Sequence, residues 1–257
     1  MPLAHQVVGD GFPILLIHAF PLNRKMWKGQ IGPLSQAGFQ IVLPDLPGFG
    51  ETVVNKNVSI PDMAEEIFGL IKFLKIEGCI VGGLSMGGYV SFALSKKHPR
   101  IFSGLLLCDT TFSADSTEKK EARFNLIEKI ASEGPLPLAR DMLPNLISDH
   151  TKENNPVLVN EIKKEILQTD PEGAIAALKA MANREDQTDL LGEISVPTGL
   201  IFGEADKVTN LETAKIMKNQ IPFSELFIIE KAGHYSNLEQ SEKFNAALLE
   251  FVKTGGF

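Results

Sequence analysis

The sequence predicts an α/β protein with a mostly parallel sheet flanked by helices and a helical segment inserted into it. Short apolar runs alternate with segments in which apolar residues recur every three or four positions, as strands and their covering helices do in such sheets. Six apolar runs follow this rule, each ahead of a turn signal. The alternation stops near residue 113 and returns near residue 187, which indicates the insertion.

The six predicted strands are residues 14–18, 39–43, 79–83, 104–108, 198–203 and 225–229. A helix is predicted after the second strand, because Met63, Ile67 and Leu70 share one helical face. Pro61 suits the first turn of this helix, because a backbone N–H at that position has no hydrogen-bond partner within the helix and proline lacks one. Before the first strand, the sequence VVGDGFP predicts an antiparallel hairpin with its turn at residues 9–11.

Residues 113–186 are predicted to form a helical cap, inserted after the sixth core strand, and the core is then residues 1–112 and 187–257. The inserted segment holds four helical patterns and no strand pattern. The linkers between these patterns are EGPLP, TKENNP and TDPEG. Because long insertions in a compact domain usually carry function, we expect the cap to cover the edge of the sheet that binds a ligand.

The composition indicates a folded protein that acts on small molecules. Of the 257 residues, 44% are hydrophobic and 22% are charged, and the net charge is −7 with scattered basic residues. This charge distribution disfavours binding to nucleic acid or to an anionic membrane. No signal peptide or spanning segment is apparent, so we expect a cytoplasmic protein. A monomer or a homodimer is expected. Cys79 and Cys108 lie in predicted strands and are expected to be free core thiols.

A serine-centred turn follows the third predicted strand. Residues 83–87 read Gly-Leu-Ser-Met-Gly and match G-x-S-x-G, with a helical pattern over 89–97. A strand-to-helix turn this tight leaves no room for a Cβ two residues before or after Ser85, which explains the glycines. It forces the serine into an uncommon backbone conformation and exposes its hydroxyl at a helix N-terminus. The alternative is a glycine-rich turn with an incidental serine. A phosphate loop is disfavoured because the G-K-[ST] ending is missing.

A serine hydroxyl needs a base, and the base needs a carboxylate to orient it. His234 follows the last predicted strand, at the sheet edge where open α/β sheets bind their ligands, and is the predicted base. Two carboxylates remain candidates for the acid. Asp206 directly follows the penultimate strand and is favoured by that position, whereas Asp109 follows the strand before it. The other interpretation of Asp109 is a carboxylate that accepts hydrogen bonds from loop amides.

Four motifs make the sequence similar to the α/β-hydrolase family over nearly the whole chain: HAFP, DLPGFG, GLSMGG, and the pair GEAD and AGH. The resemblance implies a catalytic triad of Ser85, Asp206 and His234. It also implies an oxyanion hole formed by the backbone N–H groups of Phe20 and Met86. The motifs HAFPL, GLSMGGYV and CDTTFSADS resemble the branch that contains small esterases, enol-lactonases and cofactor-free haloperoxidases.

Two features depart from the family pattern. Ala19 stands where the family has the glycine of H-G-x-P, which narrows the backbone conformations open to the loop that carries Phe20. The N-terminus is also about one strand shorter than in relatives, so one edge of the sheet is expected to be trimmed. The resemblance also implies that His18, at the end of the first predicted strand, organises the loop that carries Phe20 rather than acting as a base.

The resemblance implies a serine hydrolase that cleaves a small carboxylic ester or lactone through an acyl-enzyme intermediate. The same triad would also serve hydrolysis of a carbon–carbon bond or acyl transfer, and a ligand receptor with negligible turnover is a further alternative. No cofactor is required by this chemistry. No metal site is expected, because the histidines are dispersed and H-E-x-x-H and C-x-x-C are absent from the sequence.

The substrate pocket is expected beneath the cap. Its predicted lining residues are Trp27, Tyr89, Phe112 and Met142. Packing in the hydrophobic core explains each of these side chains equally well, since aromatic residues and methionine are usually buried. The identity of the substrate does not follow from them.

Overall fold

Seven strands form one sheet in the computed structural model, which describes residues 3–257. The strands are β1 (His5–Val8), β2 (Phe12–Ile17), β3 (Phe39–Pro44), β4 (Cys79–Leu84), β5 (Phe102–Cys108), β6 (Thr198–Gly203) and β7 (Ser224–Ile229). Their order across the sheet is β1-β3-β2-β4-β5-β6-β7. All neighbouring pairs are parallel except β1 with β3. The predicted mostly parallel sheet is therefore confirmed.

Helices connect the strands and flank the sheet. They are α1 (Lys28–Gln36), α2 (Ile60–Phe73), α3 (Met86–Lys97), α4 (Thr117–Glu133), α5 (Leu143–Leu146), α6 (Asp149–Asn154), α7 (Pro156–Leu167), α8 (Pro171–Ala182), α9 (Leu211–Gln220), α10 (Ser236–Glu239) and α11 (Ser241–Thr254). Short 3₁₀ turns occur at Arg24–Trp27, Pro99–Ile101 and Thr188–Glu193, and a π-helical turn at Leu138–Met142. Among the described residues, no helix has the length and hydropathy needed to cross a bilayer.

Helix α2 begins as its sequence predicts. The Ser59 hydroxyl accepts a hydrogen bond from the Asp62 N–H at 3.2 Å, and the Asp62 carboxylate accepts one from the Ser59 N–H at 3.0 Å. Pro61 lies in the first turn. This capping box satisfies two backbone donors that the helix leaves free, and the buried face of α2 includes Met63 and Ile67.

The centre of the sheet is β4, which pairs with β2 on one side and β5 on the other. All six of its residues are buried. Leu84 pairs with Cys108, and Cys108 pairs with Ile201, so the carboxyl ends of β4, β5 and β6 lie side by side. Cys79 and Cys108 are both buried and free, as predicted.

The prediction of an N-terminal hairpin is wrong. β1 pairs with β3 rather than with β2, so β3 lies between β1 and β2 in the sheet. The turn at residues 9–11 therefore crosses the first residues of β3. A Cβ on Gly11 would overlap the Gly38 carbonyl, and Gly9 has a φ of +81°. This close crossing requires the glycines. The sequence pattern indicates a turn between β1 and β2, as in a hairpin, but it does not specify which strand pairs with β1.

The inserted segment is helical, as predicted. Helices α4 to α8 and the π-helical turn lie within residues 113–186, and the described residues of this segment contain no strand. The segment follows β5, the fifth described strand in chain order, so the predicted position after a sixth strand is wrong by one strand. The boundaries of the core and cap remain predictions. Residues 1 and 2 of the predicted core lie outside the described residues.

Candidate active site

Ser85 lies between β4 and α3 in a strained conformation, with a φ of +54°. Such a value is uncommon for a residue with a side chain and costs about 1–3 kcal/mol, so the surroundings must impose it. The Ser85 N–H donates to the Cys108 carbonyl at 2.9 Å. The Ser85 carbonyl accepts from the Gly88 N–H at 2.9 Å and from the Thr110 hydroxyl at 2.8 Å. These bonds fix the serine on the neighbouring strand β5 and on α3.

The glycines on either side of Ser85 permit the tight turn. A Cβ on Gly83 would overlap the backbone of Gly87, and a Cβ on Gly87 would overlap the Ile17 carbonyl on β2. The overlap in both cases is with main-chain atoms, which have little freedom to move. The crowding predicted two residues before and after the serine is therefore present.

A continuous hydrogen-bonded chain joins Ser85, His234 and Asp206. The Ser85 Oγ lies 2.8 Å from the His234 Nε2, and the His234 Nδ1 lies 2.8 Å from the Asp206 Oδ2. With Asp206 ionised, His234 Nδ1–H donates to the carboxylate, and Nε2 then accepts the proton of the serine hydroxyl. All three residues are buried. The residues predicted from the sequence therefore meet at the carboxyl edge of the sheet.

The carboxylate of Asp206 is held by its own loop. It accepts hydrogen bonds from the Val208 N–H at 2.7 Å, from the Thr209 N–H at 3.1 Å and from the Thr209 hydroxyl. Burial by itself raises the pKa of a carboxyl group, but the His234 imidazole and the donated hydrogen bonds outweigh burial at Asp206. The pKa of Asp206 therefore lies below its ordinary value, and the group is ionised at neutral pH.

Asp109, the alternative acid, makes different contacts. Its carboxylate accepts from the Gly203 N–H at 2.7 Å and is hydrogen-bonded to the Ser236 hydroxyl. Within residues 3–257 it makes no hydrogen bond to His234. Burial and the nearby charge of Asp206 raise the pKa of Asp109 well above its ordinary value. Asp109 thus joins the two loops that carry Asp206 and His234.

The inserted helical segment is hydrogen-bonded to the loop that carries His234. The His234 N–H donates to the Leu146 carbonyl at 3.0 Å. The buried Glu239 carboxylate accepts from the Ser148 N–H and the Gly233 N–H, both at 2.9 Å, and the Ser148 hydroxyl donates to the Lys231 carbonyl at 2.9 Å. Neither Ser148 nor Glu239 was predicted, because a single serine or glutamate in a helical segment carries no signal of a partner far along the chain.

The backbone N–H groups of Phe20 and Met86 donate to no acceptor among residues 3–257. Met86 is the first residue of α3, where helical N–H groups have no partner within the helix. The loop that carries Phe20 is fixed by His18, whose Nδ1–H donates to the Ala19 carbonyl at 3.0 Å and whose Nε2 accepts from the Leu46 N–H at 2.9 Å. Burial lowers the pKa of His18, which favours this neutral form.

A cavity of about 220 Å³ opens beside Ser85 and His234. The other residues that border it are Phe20, Tyr89, Arg123, Asp141, Met142, Asn145, Leu146, Met181 and Val208. Of the four predicted lining residues, the structure brings Tyr89 and Met142 to this cavity. Trp27 instead packs in the core against Phe244 of α11, with ring centroids 6.1 Å apart, because it lies on the 3₁₀ turn that packs against α1 and α10.

Phe112, the fourth predicted lining residue, borders a different cleft, together with Arg184 and Gln187. The chain leaves the sheet at this point, and Phe112 lies where the inserted helical segment begins. Its carbonyl accepts a hydrogen bond from the Gln187 N–H at 2.9 Å, where the chain returns from that segment. The aromatic residue therefore packs at the junction between the sheet and the inserted segment and is not brought to Ser85.

Arg123 is a cavity residue that sequence analysis did not identify. From α4, its Nε donates to the Asp115 carboxylate at 2.5 Å, and Arg184 pairs with the same carboxylate at 2.7 Å. Burial alone raises the pKa of Asp115, but the two guanidinium groups outweigh it and the pKa lies below its ordinary value. Arg123 and Arg184 share the single carboxylate of Asp115, so this cluster carries a net positive charge. The Asp141 carboxylate, which also borders the cavity, is paired with Lys129 and Arg140.

Comparison with known proteins identifies the family. Residues 14–247 match the model of the alpha/beta hydrolase family. This chain belongs to the alpha/beta hydrolase family. A thermophilic esterase from Thermogutta terrifontis is 40% identical, with a TM-score of 0.95 over 98% of this chain and 93% of that chain. The enol-lactonase from Burkholderia xenovorans LB400 is 25% identical, with a TM-score of 0.90 over 98% and 96%.

Curated relatives agree with the structural ones. 3-Oxoadipate enol-lactonase 1 of Acinetobacter baylyi is 26% identical over 241 residues, which cover 94% of this chain and 88% of the relative. Relatives named as haloperoxidases also match this alpha/beta hydrolase. The predicted resemblance to the branch of esterases, enol-lactonases and haloperoxidases is confirmed, and so is the alpha/beta hydrolase fold.

Proposed function

We propose that this alpha/beta hydrolase is a serine hydrolase that cleaves a small carboxylic ester or lactone through an acyl-enzyme intermediate. The observation that carries the proposal is the chain from the Ser85 Oγ through His234 to Asp206, with 2.8 Å at each step, beside a cavity. Relatives named as esterases and enol-lactonases support the type of bond. Asp206 is the proposed acid, since its carboxylate is the one in contact with the histidine.

In the first step, the Ser85 Oγ attacks the carbonyl carbon of the substrate while His234 Nε2 takes the hydroxyl proton. The histidine becomes positively charged, and the ionised Asp206 stabilises that charge and fixes the ring through Nδ1–H. The carbonyl oxygen becomes negative as the carbon becomes tetrahedral. The proton moves from the Ser85 Oγ to the His234 Nε2, which are already hydrogen-bonded, so this step needs no proton from solvent.

The negative oxygen is stabilised by the free N–H groups of Phe20 and Met86, which form the proposed oxyanion hole. Both groups are fixed in place before the substrate binds, so they need no reorganisation when charge develops. Each donor of this kind lowers the barrier by about 3–4 kcal/mol. The N-terminus of α3 adds a favourable dipole at the same position.

In the second step, His234 gives its proton to the leaving alkoxide, the carbon–oxygen bond breaks and the acyl group stays on Ser85. Water then attacks the acyl carbon while His234 accepts one of its protons. Collapse of that intermediate releases the acid and returns the proton to Ser85. For a lactone, the alkoxide and the acid are two ends of one product.

The test is a panel of p-nitrophenyl esters and γ- and δ-lactones assayed with the purified protein. We expect a rapid burst of one p-nitrophenol per chain followed by many turnovers, because the acyl-enzyme forms and is then hydrolysed. A burst without turnover supports a ligand receptor instead. A new ester formed with an added alcohol supports acyl transfer, and cleavage of a 1,3-diketone in a parallel assay, with no hydrolysis of the esters, supports the carbon–carbon alternative. The cytoplasmic location and the oligomeric state remain predictions.

We further propose that Arg123 favours substrates with a carboxylate group, because the cluster that it forms with Arg184 and Asp115 carries a net positive charge. Its Nη1 donates only to the Met181 sulfur at 3.6 Å, a weak acceptor, and so has capacity for an anion. The esterase from Thermogutta terrifontis is described with malate, a dicarboxylate, bound. That description agrees with an anionic substrate for this chain.

Replacing Arg123 by methionine is expected to lower kcat/KM for monomethyl succinate about tenfold to a hundredfold, the loss of one charge-assisted hydrogen bond. Dimethyl succinate, which is neutral, should lose less than about threefold. Arg184 still pairs with Asp115, so the local fold is preserved. The matched control is Lys119→Met, which removes an exposed cation from the same helix. Equal losses for both esters would contradict the role given to Arg123.

A further inference from the structure

The loop that carries Phe20 is held mainly through its carbonyl groups. The Ala19 carbonyl accepts from the Leu22 N–H and from the His18 Nδ1–H, both at 3.0 Å. The Ala19 N–H, by contrast, donates to the Met26 sulfur at 3.1 Å, which is a weak acceptor. The Ala19 carbonyl and the Phe20 N–H belong to the same planar peptide unit, so these bonds fix one end of the unit that contains the N–H.

The next peptide unit, which contains the Phe20 carbonyl, is held by Tyr235. The Tyr235 hydroxyl donates to this carbonyl at 2.9 Å, and within residues 3–257 the carbonyl accepts no other hydrogen bond. Pro21 has no N–H, so the same peptide unit offers no second group for a hydrogen bond. The two peptide planes meet at the α-carbon of Phe20. The direction of the Phe20 N–H therefore depends on the Tyr235 hydroxyl as well as on the bonds to Ala19.

Tyr235 is itself held in one position. Its side chain is fully buried, and it directly follows His234 in the chain. The two rings lie side by side, with centroids 5.8 Å apart. Burial and the nearby Glu239 carboxylate raise the pKa of Tyr235, so the hydroxyl keeps its proton and remains a donor. The loop that supplies the base is thus bonded to the loop that supplies an oxyanion donor.

We propose that Tyr235 is a positioning residue for the oxyanion hole, because its hydroxyl holds Phe20 so that the Phe20 N–H points at the oxygen that becomes negative. This inference rests on the proposed function, since that oxygen exists only if Ser85 attacks a carbonyl. Tyr235 does not border the cavity beside Ser85, so it acts through Phe20 and not on the substrate. Its effect is concentrated in the transition state, because the N–H binds the developing charge more strongly than the neutral carbonyl.

The first test is Tyr235→Phe, which removes the hydroxyl and keeps the ring. We expect kcat for p-nitrophenyl esters to fall about tenfold to a hundredfold, which is less than the loss caused by removing a whole oxyanion donor. KM should stay within about threefold, because an interaction made in the transition state contributes little to binding of the neutral ester. The pH at which kcat/KM is half-maximal should not move, since His234 keeps its bonds to Ser85 and Asp206.

The matched control is Thr169→Val, in the inserted helical segment. The Thr169 hydroxyl donates to the Pro21 carbonyl at 2.9 Å, the next carbonyl of the same loop. This variant removes a buried hydrogen bond of the same length without touching the one to Phe20. We expect Tm to fall about as much as in Tyr235→Phe, while kcat stays within about threefold of the unchanged protein. Equal losses of kcat in the two variants would overturn the specific role given to Tyr235.

A transition-state analogue separates positioning from folding. With hexyl trifluoromethyl ketone, the Ser85 Oγ adds to the carbonyl carbon, its proton moves to His234 and the ketone oxygen becomes negative, as in the proposed intermediate. We expect Ki for this ketone to rise in Tyr235→Phe by the same factor as kcat/KM falls. Hexyl methyl ketone stays uncharged, and its Ki should be the same in both proteins. A further variant carries p-aminophenylalanine at position 235, which keeps an N–H donor there and should restore most of the lost kcat.

The outcomes distinguish this inference from the function on which it rests. If the unchanged protein hydrolyses the esters and Tyr235→Phe keeps both its kcat and its Ki for the trifluoromethyl ketone, the role of Tyr235 is wrong and ester hydrolysis stands. A failure of p-aminophenylalanine to restore kcat, or equal weakening of both ketones, would also count against positioning. If the unchanged protein hydrolyses no ester and binds both ketones equally, the proposed function fails and this inference fails with it.

Discussion

Replacing Ser85 by alanine is expected to lower kcat for ester hydrolysis about a millionfold, since the variant has no oxygen to accept the acyl group. His234 and Asp206 remain in contact but have no nucleophile to activate. Tm should change little, because alanine adopts the same backbone conformation with the same Cβ. The measurement is the rate of p-nitrophenol release after correction for the uncatalysed reaction.

The control for this variant is Ser95→Ala in α3, the helix that follows Ser85; the Ser95 hydroxyl donates only to the Phe92 carbonyl. We expect this protein to retain its activity. If Ser85→Ala hydrolysed the ester at a rate within about tenfold of the unchanged protein, another residue would be the nucleophile.

Replacing Asp206 by asparagine is expected to lower kcat about ten thousandfold, as loss of the orienting carboxylate does in serine proteases. The asparagine side chain favours the wrong tautomer of His234 and removes the charge that stabilises the imidazolium. The measurement is kcat for the best ester of the panel at pH 8. Full labelling of Ser85 by a fluorophosphonate, at a reduced rate, would indicate that the site is still formed.

Asp109→Asn is the matched variant, since it makes the same substitution at the other candidate acid. Its activity is expected to stay within about tenfold of the unchanged protein. The pKa of Asp109 is raised well above its ordinary value, so the neutral asparagine resembles the protonated acid that this site favours. It still accepts from the Gly203 N–H and can donate to Ser236. A larger loss for Asp109→Asn than for Asp206→Asn would reverse the assignment.

The same pair of carboxylates gives opposite dependences of stability on pH. Because the folded pKa of Asp109 is raised, its contribution to stability falls as pH rises from its unfolded value through its folded value. Because the folded pKa of Asp206 is lowered, its contribution is present above its unfolded value and is lost as pH falls through its folded value. We therefore expect the decrease in Tm from pH 5 to pH 8 to be smaller for Asp109→Asn than for the unchanged protein.

Much of the sheet was predictable because buried parallel strands are continuous apolar runs. The strand Thr198–Gly203 was predicted at its observed bounds, and β7 differs by one residue. The pairing of β1 with β3 was not predictable. The turn after β1 crosses the start of β3, and the only sequence feature that marks this crossing is the pair of glycines in the turn. Adjacency in sequence favours β2 as the neighbour of β1, whereas the observed pairing with β3 brings Gly11 against the Gly38 carbonyl.

The site was predictable to the extent that backbone geometry restricts its residues. The turn around Ser85 demands glycines, and the loops after the last two strands bring Asp206 and His234 to the same edge. The cavity walls were less predictable. Trp27 and Phe112 are aromatic and buried but pack elsewhere. Arg123 reaches the cavity from α4, whose many charged residues are typical of a solvent-exposed helix.

The most direct test of the proposed mechanism is the mass of the protein after a short reaction with p-nitrophenyl acetate, stopped by acid during the burst. We predict that one acetyl group is attached to the peptide that contains Ser85, in an amount equal to the burst, and that Ser85→Ala carries none. An acetyl group on a different residue, or steady turnover with no acetylated protein at any time, would contradict the account.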